Sequence, residues 1–185
     1  MIISFNGQEG SGKSTISKKI AEKLGIPWYY MGGIMRQKAG EKGLTLAEYG
    51  KLRDENPIYD KEIDDYLVEL GKKEDAFVID SRTAWHFIPG SINIYLKVDI
   101  NEAAGRILKA LSEDPTRKNE DKKIETPEDM ANSIQNRRLA DNERYMKYYG
   151  INPNDESNYD FILDTTNLSI EEVLAKVMEF IHQNR

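Results

Sequence analysis

The chain has 185 residues, no cysteine, 39% hydrophobic and 31% charged residues, and a formal net charge of −6. That composition suits one globular domain and leaves no disulfide or thiolate metal site. No apolar run approaches the roughly 18 residues of a membrane span, and an acidic surface does not draw nucleic acid by long-range attraction, so any phosphate has to be met by locally placed basic residues.

Short apolar runs alternate with helical patterns along the chain. Strands are predicted at Ile2–Asn6, Trp28–Tyr30, Ala76–Asp80, Ile92–Val98 and Tyr159–Asp164. Their near-continuous apolar character fits strands covered on both faces, hence an α/β fold with a parallel sheet. The first strand runs into GQEGSGKST, Gly7 to Thr15, and the helical stretch KSTISKKIAEKL follows. Residues 31–72 read as helical without a strand, and Thr45 with Glu48 forms a capping-box signal. Arg36 lies early in this insertion, and Arg82 directly follows the third strand, which ends on Asp80. Arg106 sits on the helix after the fourth strand. SEDPTRKNEDKKIET, residues 112–126, is intensely charged and cannot bury a face, so it is expected to be an exposed, mobile loop. Thr126 before Pro127 opens a helix carrying Arg137, Asp141 and Arg144. Ser169 and Glu172 cap the last helix, whose stripe of Ile170, Val173, Leu174, Val177, Phe180 and Ile181 docks it on the sheet. The chain divides into a core (1–30, 73–111, 134–185), an insertion (31–72) and a lid (112–133), all within one domain.

Gly7-x-x-x-x-Gly12-Lys13-Ser14 is a full Walker A pattern in the required strand–loop–helix setting. The backbone amides of Gly7, Gln8, Glu9, Gly10, Ser11, Gly12, Lys13, Ser14 and Thr15 would cradle a triphosphate at a helix N-terminus. Lys13 would bridge the outer phosphates, and Ser14 would take a magnesium position. Asp80, ending a strand beside the loop, could support that magnesium or merely cap the next turn. No Asn-Lys-x-Asp guanine clamp occurs; Asn152 to Asp155 comes nearest and lacks the lysine. A small kinase needs only a phosphate loop, an acceptor pocket and a lid, and the segments stand in that order.

Arg36 and Arg82 fall where an acceptor pocket opens in such folds, though both could be surface residues. Arg137, Asp141 and Arg144 are spaced i, i+4, i+7 and share one helix face, which fits an exposed ion-pair ladder as well as a substrate-facing surface. His86 and His182 lie in no catalytic constellation.

GQEGSGKST, YYMGGIMR, PIYDKEID, VIDSRTAW, NRRLADNERYMKYYGIN and NYDFILDTTNLSIEEV together give a chain that resembles cytidylate kinases of the compact archaeal type, nearly end to end. The resemblance implies a nucleoside monophosphate kinase fold: a five-stranded parallel sheet flanked by helices, a helical acceptor-binding insertion and a mobile lid. It implies transfer from ATP, with Mg2+, to CMP or dCMP. Carried over by position, Arg36 would hold the acceptor phosphate and Arg82 would reach the same nucleotide. Arg137, Asp141 and Arg144 would meet the acceptor and the transferring group, with Arg106 as a lid-side catalytic arginine. Asp60 and Asp64 match a paired-acid stretch near the acceptor, and Trp85 or Tyr30 could flank its base. Relatives carry several arginines on the helix before the charged loop; here Ala103 and Ala110 stand in two of those places, and Gly32-Gly33 replaces a small polar or acidic residue. The missing arginines leave open an ATP-binding regulatory module, and the generic loop leaves open a small kinase for AMP, UMP or shikimate. The expected setting is a cytoplasmic monomer that handles small nucleotides, with no nucleic-acid or membrane partner.

Overall fold

A computed structural model describes residues 1–113, 124 and 126–184. The greater part of the charged loop expected as a lid, 114–123 and 125, lies outside the described residues. The chain orders as β1 (Ile2–Gly7), α1 (Lys13–Leu24), β2 (Trp28–Tyr30), α2 (Met31–Glu41), α3 (Leu46–Glu55), α4 (Ile58–Lys73), β3 (Phe77–Asp80), α5 (Ala84–Phe87), β4 (Ile92–Lys97), α6 (Ile100–Glu113), α7 (Pro127–Tyr149), a 3-10 turn at Glu156–Asn158, β5 (Phe161–Asp164) and α8 (Ile170–Gln183). The strands form one five-stranded sheet in the order β2-β3-β1-β4-β5, every pair parallel. All carboxyl ends therefore point the same way, and the phosphate loop emerges from the middle strand.

One face of the sheet packs on α1 and α8 through Phe5, Ile16, Ile20, Ile94, Val177 and Ile181, all at most 2% exposed. The other face packs on α2, α4 and α5 through Met31, Leu67, Phe77, Ile79 and Ala84. A separate apolar cluster of Val98, Ala103, Ala104, Met130 and Ile134 joins α6 to α7. The capping boxes at Thr45 and Ser169 form as expected, and Thr126 makes another with Asp129. α7 begins at Pro127, so residues 127–133 of the expected lid are its opening turns.

Two expectations need correcting. Burial on both faces holds for β3 but not for β5, an edge strand whose burial alternates. β5 also starts at Phe161 rather than Tyr159. Tyr159 turns inward instead: its ring lies 4.7 Å from Tyr95, and its hydroxyl donates to the Pro153 carbonyl at 2.6 Å. Among the described residues no helix is long and apolar enough to cross a membrane.

Candidate active site

Gln8 fastens the phosphate loop to β4: its amide donates to Leu96 O at 2.9 Å, and its side-chain oxygen accepts from Val98 N at 2.8 Å. Gly10 takes φ +74° and sits so close to α6 that a Cβ there would lie 2.7 Å from Ala103 Cα. No side chain fits between them. Ala103, 0% exposed, is thus the floor under the loop rather than a vacated arginine position; Ala110 is half-buried near the end of the same helix. Gly12 opens α1 without a side-chain cap, so no side chain of the cap residue competes for the first-turn amides.

Lys13 reaches back across the loop, its Nζ donating to Gln8 O at 2.8 Å. Burial pushes its pKa down to about 8; Asp80 and Glu9 work against that, while Arg82 and Arg137 add to it. Ser14 Oγ donates to Asp80 Oδ2 at 2.6 Å. Asp80 is buried, and burial raises its pKa despite Lys13, the Ser14 bond, Arg82 and Arg36. This hydroxyl–carboxylate pair offers hard oxygen donors of the kind magnesium takes. Among the described residues no cluster of three acidic, His or Cys side chains could hold a metal by protein ligands alone, so an ion here would draw its remaining ligands from phosphate and water. Ser11 is buried, and Thr15 is exposed on α1.

Arg106 donates to Glu102 Oε1 at 2.8 Å, to Thr165 O at 2.9 Å, to Thr166 O at 3.0 Å and to Gly10 O at 3.4 Å. In this arrangement it clamps the loop to the turn after β5. Arg36 Nη1 donates to the Tyr30 hydroxyl at 2.6 Å and to Gly32 O at 3.2 Å. The Tyr30 ring fills the space that Gly32 and Gly33 leave: a Cβ on either would stand 2.7 and 2.9 Å from it. Tyr30 also stacks on Trp28 at 5.5 Å. Trp85 is half-buried, and its indole donates to Arg82 O at 3.0 Å.

The remaining charges form a row that runs from the insertion through α7 to the phosphate loop. Arg53 on α3 donates to Asp60 on α4, with Nε–Oδ1 at 2.8 Å. Asp60 Oδ2 faces Arg144 Nε at 3.0 Å, at an angle that makes an ion pair but no hydrogen bond. Arg144 pairs with Asp141, and with Asp54 at 2.7 Å. Asp141 faces Arg82 at 3.2 Å. Arg82 pairs with Glu9, whose other oxygen accepts from Arg138 Nε at 2.8 Å. Asp60 is 2% exposed, Arg144 4% and Asp141 7%. The exposed-ladder reading of Arg137, Asp141 and Arg144 is therefore overturned: Asp141 and Arg144 are buried, and only Arg137 is exposed. Arg137 stays close enough for its charge to lower the pKa of Glu9, Lys13 and Asp141. Sequence reasoning missed Arg53 and Arg138. Arg138 carried a signal, being i−3 to Asp141 on the same helix; Arg53 carried none, because its partner lies across the α3–α4 turn.

Asp64 accepts from the Tyr149 hydroxyl and is buried. Burial pushes its pKa from 3.8 up to about 6; the Tyr149 bond and Arg53 oppose the rise, while Asp60 and Asp65 add to it. Between about pH 4 and 6 the folded chain then binds the extra proton, so this group's contribution to stability falls as pH rises through that window. Asp64→Asn is expected to match wild type near pH 4 and to be more stable by about 2 kcal/mol at pH 7. Thermal melts at both pH values read this, and a difference independent of pH would refute the raised pKa.

Comparisons with known proteins span nearly the whole chain. The chain is 32% identical over 181 residues to a cytidylate kinase of Pyrobaculum aerophilum, covering 97% of this chain and 92% of that one. It is 35% identical over 178 residues to a cytidylate kinase of Pyrococcus horikoshii, covering 96% and 86%. Among solved structures, shikimate kinase from Bacteroides thetaiotaomicron aligns with a TM-score of 0.64 over 98% of each chain at 17% identity, a likeness of fold alone. Residues 2–167, phosphate loop and charge row included, match the model of the cytidylate kinase-like family, and the chain belongs to that family.

Proposed function

We propose that the protein transfers a phosphoryl group from ATP to CMP or dCMP, giving CDP or dCDP. The observation that carries this reading is the meeting of cations at one loop: Lys13 lies inside it against Gln8 O at 2.8 Å, and Arg82 and Arg138, from beyond β3 and from α7, both pair with Glu9 of the same loop. The loop amides and Lys13 would hold the donor's outer phosphates, with Ser14 and Asp80 holding magnesium. That ion, when bound, offsets phosphate charge and helps to fix its geometry. Arg36, Arg82 and Arg137 would take the acceptor phosphate, and Trp85 would flank its base. Asp60, Asp64, Asp141 and Arg144 would brace the acceptor side through the buried row. An acceptor phosphate is already ionised, so no general base is required, and the chain's work is alignment and charge stabilisation. Cysteine-free composition supports a reducing compartment such as the cytoplasm.

The test is a panel of CMP, dCMP, UMP, AMP and shikimate with Mg-ATP. The expected result is ADP release with CMP and dCMP well above the acceptor-free rate. ADP at the acceptor-free rate with every member would defeat the kinase reading, and preference for AMP, UMP or shikimate would defeat the choice of cytosine nucleotides.

A further inference from the structure

Glu9 is a carboxylate inside a loop whose expected guest is itself an anion, and phosphoryl transfer has no use for a carboxylate there. Both of its oxygens are engaged: Oε1 accepts from Arg82, and Oε2 from Arg138 Nε at 2.8 Å. The side chain is 11% exposed. Burial alone would raise its pKa, yet Arg82, Lys13, Arg137 and the Arg138 bond hold it well below the usual carboxylate range. Two guanidinium groups, one on each oxygen, thus favour the charged form of Glu9.

Its two partners come from distant parts of the chain. Arg82 follows β3, and Arg138 lies on α7, 129 residues from Glu9. Arg82 has a second carboxylate, Asp141, at 3.2 Å. Arg138 Nη2, in contrast, is buried and has no hydrogen-bond partner among the described residues. An arginine fork with one side fixed and the other side uncommitted is a donor prepared for a phosphate oxygen. Four cations, Lys13, Arg82, Arg137 and Arg138, converge on the loop. Without Glu9 only Asp141, on Arg82, and Asp80, near Lys13, would offset their mutual repulsion, and Arg138 would lose the carboxylate that holds it at the loop.

We infer that Glu9 is a positioning residue: it draws Arg82 and Arg138 to the phosphate loop before nucleotide arrives and leaves the Nη2 of Arg138 as a further donor to substrate phosphate. Arg138 is then a substrate-contacting residue on the acceptor side, and Glu9 acts through it and through Arg82. The inference rests on the kinase reading above. It deepens that reading by explaining an acidic residue in a phosphate-binding loop: charge placed in advance costs no reorganisation when the reaction occurs.

The experiment is a double-mutant cycle of Glu9→Gln and Arg138→Gln, with steady-state kinetics on CMP, or on whichever acceptor the panel selects, and thermal melts of each variant. Glu9→Gln keeps shape and one acceptor oxygen but removes the charge. Each single variant is expected to lose about 10- to 100-fold in kcat/KM for the acceptor, with KM for ATP within about threefold of wild type. The double variant is expected to be no worse than the poorer single, because the two side chains act as one unit. Glu9→Asp, too short to hold both arginines, should recover part of the loss. Losses that multiply in the double variant, an equal rise in KM for ATP, or no loss in Glu9→Gln would each overturn the inference while leaving an active kinase. A wild type inactive on every acceptor would instead sink the kinase reading and this inference with it.

Discussion

Replacing Lys13 by methionine is expected to lower kcat/KM for ATP by about 10³-fold, close to 4 kcal/mol of transition-state stabilisation. Methionine keeps the aliphatic stem and removes the charge, so the loss reports on charge and not on volume. The Lys13 ammonium lies against Gln8 O at 2.8 Å, inside the curl of the loop. Burial there pushes its pKa down to about 8, yet Asp80 and Glu9 keep most of it protonated at neutral pH. A cation held in a low-dielectric loop is worth far more to a developing phosphoryl charge than one in water. A coupled assay of ADP release checks the value, with circular dichroism to verify folding. A variant within about tenfold of wild type would mean that this loop is not the donor site.

Replacing Arg144 by alanine is expected to cost about 3 kcal/mol of folding stability, because it leaves buried carboxylates short of a partner. Asp60 would keep Arg53, and Asp141 would keep Arg82, so the loss belongs at the low end of what breaking a buried pair costs. Arg137→Ala is the control on the same helix. Arg137 is exposed and makes no ion pair among the described residues, so its stability should stay within about 0.5 kcal/mol of wild type. Urea denaturation read by tyrosine and tryptophan fluorescence separates the two; equal midpoints would refute the buried row.

The phosphate loop was legible because its chemistry is contiguous: nine residues carry the glycines, the lysine and the serine, and the flanking strand and helix fix their geometry. Strand positions and capping boxes were legible for the same reason, being patterns local in the chain: short apolar runs for the strands, four consecutive residues for each capping box. The charge row was not. Its contacts join residues 73, 90 and 129 positions apart, and nothing in local spacing says which arginine meets which carboxylate. Spacing on α7 placed Arg137, Asp141 and Arg144 together but could not tell that two of them turn inward. Ala103 misled for a similar reason. An alanine in place of an arginine looks like a loss until Gly10 is seen resting on it.

The row of alternating charges, Arg53, Asp60, Arg144, Asp141, Arg82, Glu9 and Arg138, has a consequence for how such a protein can diverge. Reversing the sign of an inner member places it between two like charges, and at Asp60, Arg144 and Asp141 it does so with little water in reach. Neutralising one strands its neighbours. Drift at these positions is therefore confined to paired exchanges, and α3, α4, α7 and the phosphate loop are inherited as a matched set: a homologue's acceptor-binding insertion grafted onto this core would need its own α7, and its own residue at position 9, to travel with it.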